Sequence, residues 1–207
     1  FTIFFGASMA VKEQHWKRRL AYSTVANLSY ILFGVTMMTQ AGLTAALLHM
    51  AFHAEIKILA FFCAGAVLHS TGREYLNQLG GLGRKMPITF GCFTVSALAL
   101  TAIPPFSGFV SKWHLLTAAA DSLNPLAYAG AAVLLFGALL TAIYMFTAVC
   151  KAFFPAADSV DEKLENEREV NWRMTVPMVI LAAGILLTGI YAQPIVNAAM
   201  AIAQGLR

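Results

Sequence analysis

The segment Leu48-His49-Met50-Ala51-Phe52-His53-Ala54-Glu55-Ile56-Lys57 sets four ionisable residues in an otherwise apolar run. His49, His53 and Lys57 are spaced i, i+4, i+8, so a helix carries them as a stripe on one face, about 6 Å apart along its axis. That spacing suits proton hopping through intervening water, because imidazole titrates near neutrality and lysine, unlike arginine, gives up its proton in suitable surroundings. Ionisable groups within a spanning segment are costly and face a bundle interior or a cavity. The plainer alternative is that the histidines hydrogen-bond neighbouring helices and Lys57 snorkels to an interface. Lys57 lies near mid-segment, where snorkelling reaches poorly. The HxxxH pair has the spacing of two zinc ligands, but no carboxylate shares that face and Lys57 repels a cation, so no metal is expected.

Glu55 is two residues from Lys57, hence about 160° around the helix, and the two do not pair directly. Either it is neutral, or it faces another helix or subunit bearing a donor. A structural contact and a part in proton movement both remain open for it. Lys112 follows Ile103-Pro104-Pro105-Phe106-Ser107-Gly108. Two prolines cannot continue a helix, and carbonyls freed at its end stabilise an ammonium or order water beside it; the alternative is a lysine reaching an interface. His69 and His114 read as ordinary interfacial residues. Cys63, Cys92 and Cys150 share no CxxC spacing and read as small core side chains. With neither a cysteine framework for iron–sulfur clusters nor a GxGxxG, no cofactor is expected, and redox chemistry falls to partner subunits.

The surrounding elements must lie in a bilayer. Hydrophobic residues make up 59% of the 207 and charged residues 12%, with a mean hydropathy of +0.70, where soluble domains are about a quarter charged. The net charge of +4 invites a nucleic-acid partner, but the basic residues sit in short loops between apolar runs, as in membrane proteins. Residues 1–11 are too short to span and read as the tail of a helix. Beginning inside an apolar run, without a signal peptide, the sequence is expected to continue upstream. Crossings are expected at 22–38, 43–69, 87–120 (broken at 103–108), 125–154 and 173–204, the last kinked at Pro194, with a tight turn at Gln40-Ala41-Gly42. The break should be buried in protein or line a wet cavity. Alternating sides places 11 of the 14 Lys and Arg together: Lys12, Lys17, Arg18, Arg19, Arg73, Arg84, Lys85, Lys151, Lys163, Arg168 and Arg173. The positive-inside rule then makes loops 12–19, 70–86 and 155–171 cytoplasmic. The reading is an all-α, polytopic transmembrane bundle with one discontinuous helix. It forms a single transmembrane region over 1–207, with a motif-bearing repeat at 12–120, a polar loop at 155–171 and a last helix at 173–204.

Three motifs in order carry a resemblance: Lys17-Arg18-Arg19-Leu20-Ala21-Tyr22-Ser23-Thr24, the His49/His53/Lys57 helix, and Met86-Pro87 through Ile103-Pro104-Pro105-Phe106-Ser107-Gly108-Phe109-Val110-Ser111-Lys112. Together they resemble the antiporter-like subunits of respiratory complex I, Mrp-type sodium/proton antiporters and membrane-bound hydrogenases. The match covers most of residues 12–120; beyond 120 only hydropathy supports it. The resemblance implies fourteen core helices with two inverted five-helix repeats, each with a broken helix; this chain corresponds to the second repeat and the helices after it. It implies Lys57 as a central-axis lysine, His49 and His53 as its relay neighbours, and Lys112 as the terminal ionisable residue. Glu55 departs from the pattern, which has an apolar or aromatic residue there, and the first repeat's Glu–Lys pair is absent. The implied function is proton translocation, with sodium as a second candidate ion, alongside other membrane subunits in a bacterial or archaeal inner membrane. Two other classes stand beside it: a secondary carrier, which would need a solute pocket at the break, and a structural scaffold, which would tolerate leucine at Lys57 and Lys112.

Overall fold

A computed structural model describes residues 1–155 and 167–205. It is all-helical, in the order α1 (Thr2–Lys12), α2 (Trp16–Thr36), α3 (Gln40–Thr71), a 3₁₀ turn (Leu76–Gln78), α4 (Leu82–Lys85), α5 (Pro87–Thr101), α6 (Ser107–Asp121), α7 (Pro125–Phe153), α8 (Trp172–Ile190) and α9 (Gln193–Gly205). Among the described residues, α3, α7 and α8 are long and apolar enough to cross a membrane, three where the sequence suggested five. The rest follows from composition and length: α2 carries Lys17, Arg18, Arg19 and a series of polar residues, while α5 and α6 are 15 residues each. Residues 156–166, most of the polar loop expected at 155–171, lie outside the described residues, as does Lys163.

Several boundaries differ from expectation for local reasons. Lys17 to Arg19 belong to the first turn of α2 rather than to a loop, because His15 caps the helix and Trp16 is buried against Phe90 and Phe93. The turn between α2 and α3 falls at 37–39, not at Gln40-Ala41-Gly42; Thr39 Oγ1 accepts from the Gly42 N–H at 3.0 Å and opens α3. Gly42 serves packing instead: a Cβ there would stand 2.6 Å from the Gly34 carbonyl oxygen, so α2 and α3 meet backbone to backbone. The segment 173–204 is two helices, not one kinked helix. The ring of Pro194 excludes the carbonyl four residues earlier, and that carbonyl belongs to Ile190, the last residue of α8. Cys150 is exposed, unlike buried Cys63 and Cys92.

The break between α5 and α6 leaves Ile103, Pro104 and Pro105 exposed on the chain's own surface, while its backbone from Pro105 to Ser107 packs against Gly189 of α8. Donor accounting explains why this is tolerable. Ala102 N–H donates to Ala99 O, Ile103 N–H to Leu98 O and Phe106 N–H to Ile103 O, and the two prolines have no N–H. Every backbone donor from 102 to 106 is thus satisfied within the break or absent. On the inner side, Gly108 lies so close to the Ala99 carbonyl that no Cβ fits.

At one end of the bundle two connecting segments are tied to each other and a third to the start of α5. Trp16 N–H donates to Glu74 O at 2.9 Å and Leu76 N–H to Gln14 O at 3.0 Å, joining the α1–α2 and α3–α4 links. The His15 backbone N–H donates to Glu13 at 2.9 Å and holds that carboxyl below its ordinary value. Glu169 accepts from the Ile88 and Thr89 N–H groups at 2.8 and 3.2 Å and from the Thr89 hydroxyl at 2.5 Å, capping the start of α5. A carboxylate at a helix N-terminus is favourable both as an acceptor and as a negative charge.

Candidate functional site

The site is built where α2 and α3 run antiparallel. On α2 the buried polar residues Arg19, Ser23, Asn27 and Tyr30 recur every three or four positions, the period of one helix face. On α3 the matching face carries His49, His53 and Lys57, each no more than 6% exposed. Two contacts fix the register. Lys57 Nζ donates to Leu20 O at 2.9 Å and to Ser23 Oγ, while the His49 ring meets the edge of Tyr30, centroids 5.6 Å apart. Between those contacts the register sets His53 opposite Asn27.

The line continues into the interrupted helix. The His49 and His53 rings stack 5.7 Å apart, and His49 Nδ1 is 2.9 Å from Ser111 Oγ on α6. Next to Ser111, buried Lys112 donates from Nζ to Leu100 O at 2.7 Å and stands 5.4 Å from the centre of the Tyr30 ring. Leu100 lies in the last turn of α5, where carbonyls lose their helical partners and the helix dipole is negative. The break therefore supplies the ammonium with a backbone acceptor inside the bundle.

Five buried atoms on this line have no protein hydrogen-bond partner among the described residues: Asn27 Oδ1, Tyr30 OH, His49 Nε2, His53 Nδ1 and His53 Nε2; Ser107 Oγ at the break is a sixth. Buried polar groups are almost always satisfied by protein or ordered water, so this seam calls for water. Among the described residues no group of three or more His, Cys, Asp or Glu converges as a metal site would require.

Glu55 is not brought to this line. It lies half-buried on the other side of α3, facing Gly184 and Thr188 of α8. His114 is half-buried, its Nδ1 2.7 Å from Val110 O, and lines a cavity of about 370 Å³ with Thr44, Thr117 and Asp121 at the end remote from the basic loops. His69 is exposed. Sequence reasoning did not single out Ser23, Asn27, Tyr30 or Ser111, although the recurrence of polar residues along α2 was available as a signal. Arg19, a loop charge in the sequence pattern, lies inside α2 instead. It is 3% exposed, and its guanidinium donates to Glu13 O, Tyr144 O and Val11 O at 2.9, 2.9 and 3.0 Å, tying α2 to α7 and to the end of α1.

Fold and site together define an integral membrane helix bundle with a buried polar axis between a continuous helix and an interrupted one. The chain belongs to the NADH:quinone oxidoreductase/Mrp antiporter transmembrane family, whose model matches residues 1–141. It is 33% identical over 204 residues to the NADH-quinone oxidoreductase subunit N of Desulforudis audaxviator, covering 94% of this chain and 40% of that one. It is also 33% identical over 205 residues to a Na(+)/H(+) antiporter subunit of Alkalihalophilus pseudofirmus, covering 98% and 40%. A chain of the Mrp complex from Dietzia sp. superposes with a TM-score of 0.86 at 26% identity, over 98% of this chain and 45% of its own length. This chain thus spans about two fifths of the length of these relatives.

Proposed function

We propose that this chain conducts protons along the α2–α3 seam and into the broken helix, as part of a subunit in a larger complex of the NADH dehydrogenase, hydrogenase or Mrp kind. Lys57 is the central exchangeable site, His53 and His49 pass the proton through water, and Ser111 hands it towards Lys112 at the break. The observation that carries this reading is the run of partnerless buried polar atoms between Lys57 and Ser111. A structural network would close its hydrogen bonds internally, whereas a proton wire needs room for water between groups that both donate and accept. Beyond Lys112, the cavity lined by His114 and Asp121 offers a route to the surface. Under this reading Glu55 stays outside the wire.

Lys112→Leu tests the proposal at its far end, because leucine fills the space without carrying a proton. The assembled complex, reconstituted into vesicles, is expected to keep its subunits and lose most coupled proton uptake. Uptake at the parental rate in this variant would point to a scaffold instead.

The end holding Glu13, Arg73 and Lys151 is proposed to face the cytoplasm, from the distribution of basic residues. A cysteine introduced at Glu74 should react with a membrane-impermeant maleimide only after cells are opened. Labelling in intact cells would invert the topology.

A further inference from the structure

We propose that Glu55 is a resident proton-binding carboxyl at membrane depth, held neutral against the hydroxyl of Thr188, where it latches α8 onto the helix that carries Lys57. This is independent of the proton wire, which runs along the opposite side of α3.

Position sets Glu55 apart. The other acidic residues fall at Glu13, Glu74 and Asp121 or within 155–171, while Glu55 stands in the middle of α3. An ionised carboxylate there needs a cation, and among the described residues the elements packed around it do not bring one. Between Arg173 and Tyr191, α8 has no ionisable side chain; α9 has none over Gln193–Gly205; α5 carries only Cys92. Lys57 is engaged with Leu20 and Ser23 on the far face, and Lys112 with Leu100 and Tyr30.

What α8 brings is space and a hydroxyl. A Cβ at residue 184 would fall on Glu55 Oε1, so glycine at that position gives the carboxyl its room. Thr188 Oγ1 is 3.5 Å from Glu55 Oε2, but it is 2.8 Å from the Gly184 carbonyl one turn back. A hydroxyl has one proton and two lone pairs. With that proton committed to Gly184 O, as is common for threonine inside helices, only lone pairs face Glu55. A carboxylate would then oppose oxygen lone pairs with its own charge in a poorly solvating setting, which is strongly unfavourable. A carboxylic acid resolves the conflict, because its O–H is a donor for Thr188 Oγ1, the full bond forming once the 3.5 Å separation shortens by a small rotation of the Glu55 side chain. The proton on Glu55 closes the α3–α8 contact, and its loss opens it.

A hydrophobic carbodiimide tests this directly on the assembled complex in vesicles. The O–H of a protonated carboxyl adds across one N=C bond of the reagent, and an oxygen-to-nitrogen acyl shift then gives an N-acylurea that retains every atom of both reactants. Mass spectrometry is expected to find that adduct on Glu55, absent in Glu55→Gln, while a charged water-soluble carbodiimide leaves Glu55 unmodified and labels loop carboxyls. No adduct on Glu55 while other carboxyls react, or equal labelling by both reagents, would overturn the protonated state. The latch is read separately by pairing native Cys63 with Met178→Cys, whose parental sulfur atoms lie 3.7 Å apart. Glu55→Gln, which keeps a donor for Thr188, should cross-link at the parental rate, and Glu55→Ala severalfold more slowly. Equal rates in the two variants would overturn the latch.

Discussion

Lys57→Ala is expected to abolish coupled proton translocation while the complex still assembles. The ammonium donates to Leu20 O and Ser23 Oγ between α2 and α3, and no other side chain on that face offers a basic amine at this depth. Removing a positioned proton-exchanging group lowers rates by about 10²–10⁴-fold, which in a wire with one route amounts to loss of pumping. Assembly should survive, because α2 and α3 also meet through Gly34 and Gly42 and through the aliphatic core around Leu59, Ala60 and Cys63. Lys57→Arg separates charge from exchange: guanidinium keeps the charge but does not give up its proton, so this variant should assemble and pump as poorly as alanine. Proton uptake by vesicles under turnover is the measurement. Parental uptake in Lys57→Ala would remove Lys57 from the mechanism, and recovery in Lys57→Arg would show that its role is electrostatic.

Arg19→Ala should act on stability rather than on proton transfer. The guanidinium reaches three carbonyls at once, on Val11, Glu13 and Tyr144, and so joins three segments near the basic end. Hydrogen bonds from a charged donor contribute about 1.5–3 kcal/mol each before losses are shared among neighbours, so a net cost of about 3 kcal/mol is a conservative expectation. A loss of that size is expected to lower the unfolding midpoint, by less the larger the unit that melts with it. Arg19→Lys should recover only part of it, because one ammonium cannot span the directions that the planar fork covers. A thermal scan of the solubilised complex reads both variants. An unchanged midpoint in Arg19→Ala would show that these bonds are readily replaced by water.

Helix class and the order of segments were legible because a bilayer imposes a simple rule: long apolar runs must close their own backbone hydrogen bonds. The α3 stripe was legible for the same reason, since i, i+4, i+8 spacing fixes a shared face without knowledge of any neighbour. Ends were less so. The start of α2 depends on Trp16 finding Phe90 and Phe93, and the end of α8 on the Pro194 ring meeting the Ile190 carbonyl.

Local periodicity therefore determined that His49, His53 and Lys57 lie together and that Glu55 points elsewhere, since both statements need only one helix. What they face required the packed bundle. Ser23, Asn27 and Tyr30 come opposite them because α2 and α3 pack in one antiparallel register, which depends on close backbone approach at Gly34 and Gly42. Leu100 O reaches Lys112 because α5 ends one residue beyond Leu100, at Thr101, and Glu55 finds Thr188 through a helix 133 residues away in sequence. Such pairings rest on contacts between distant segments, and no window of sequence holds both partners.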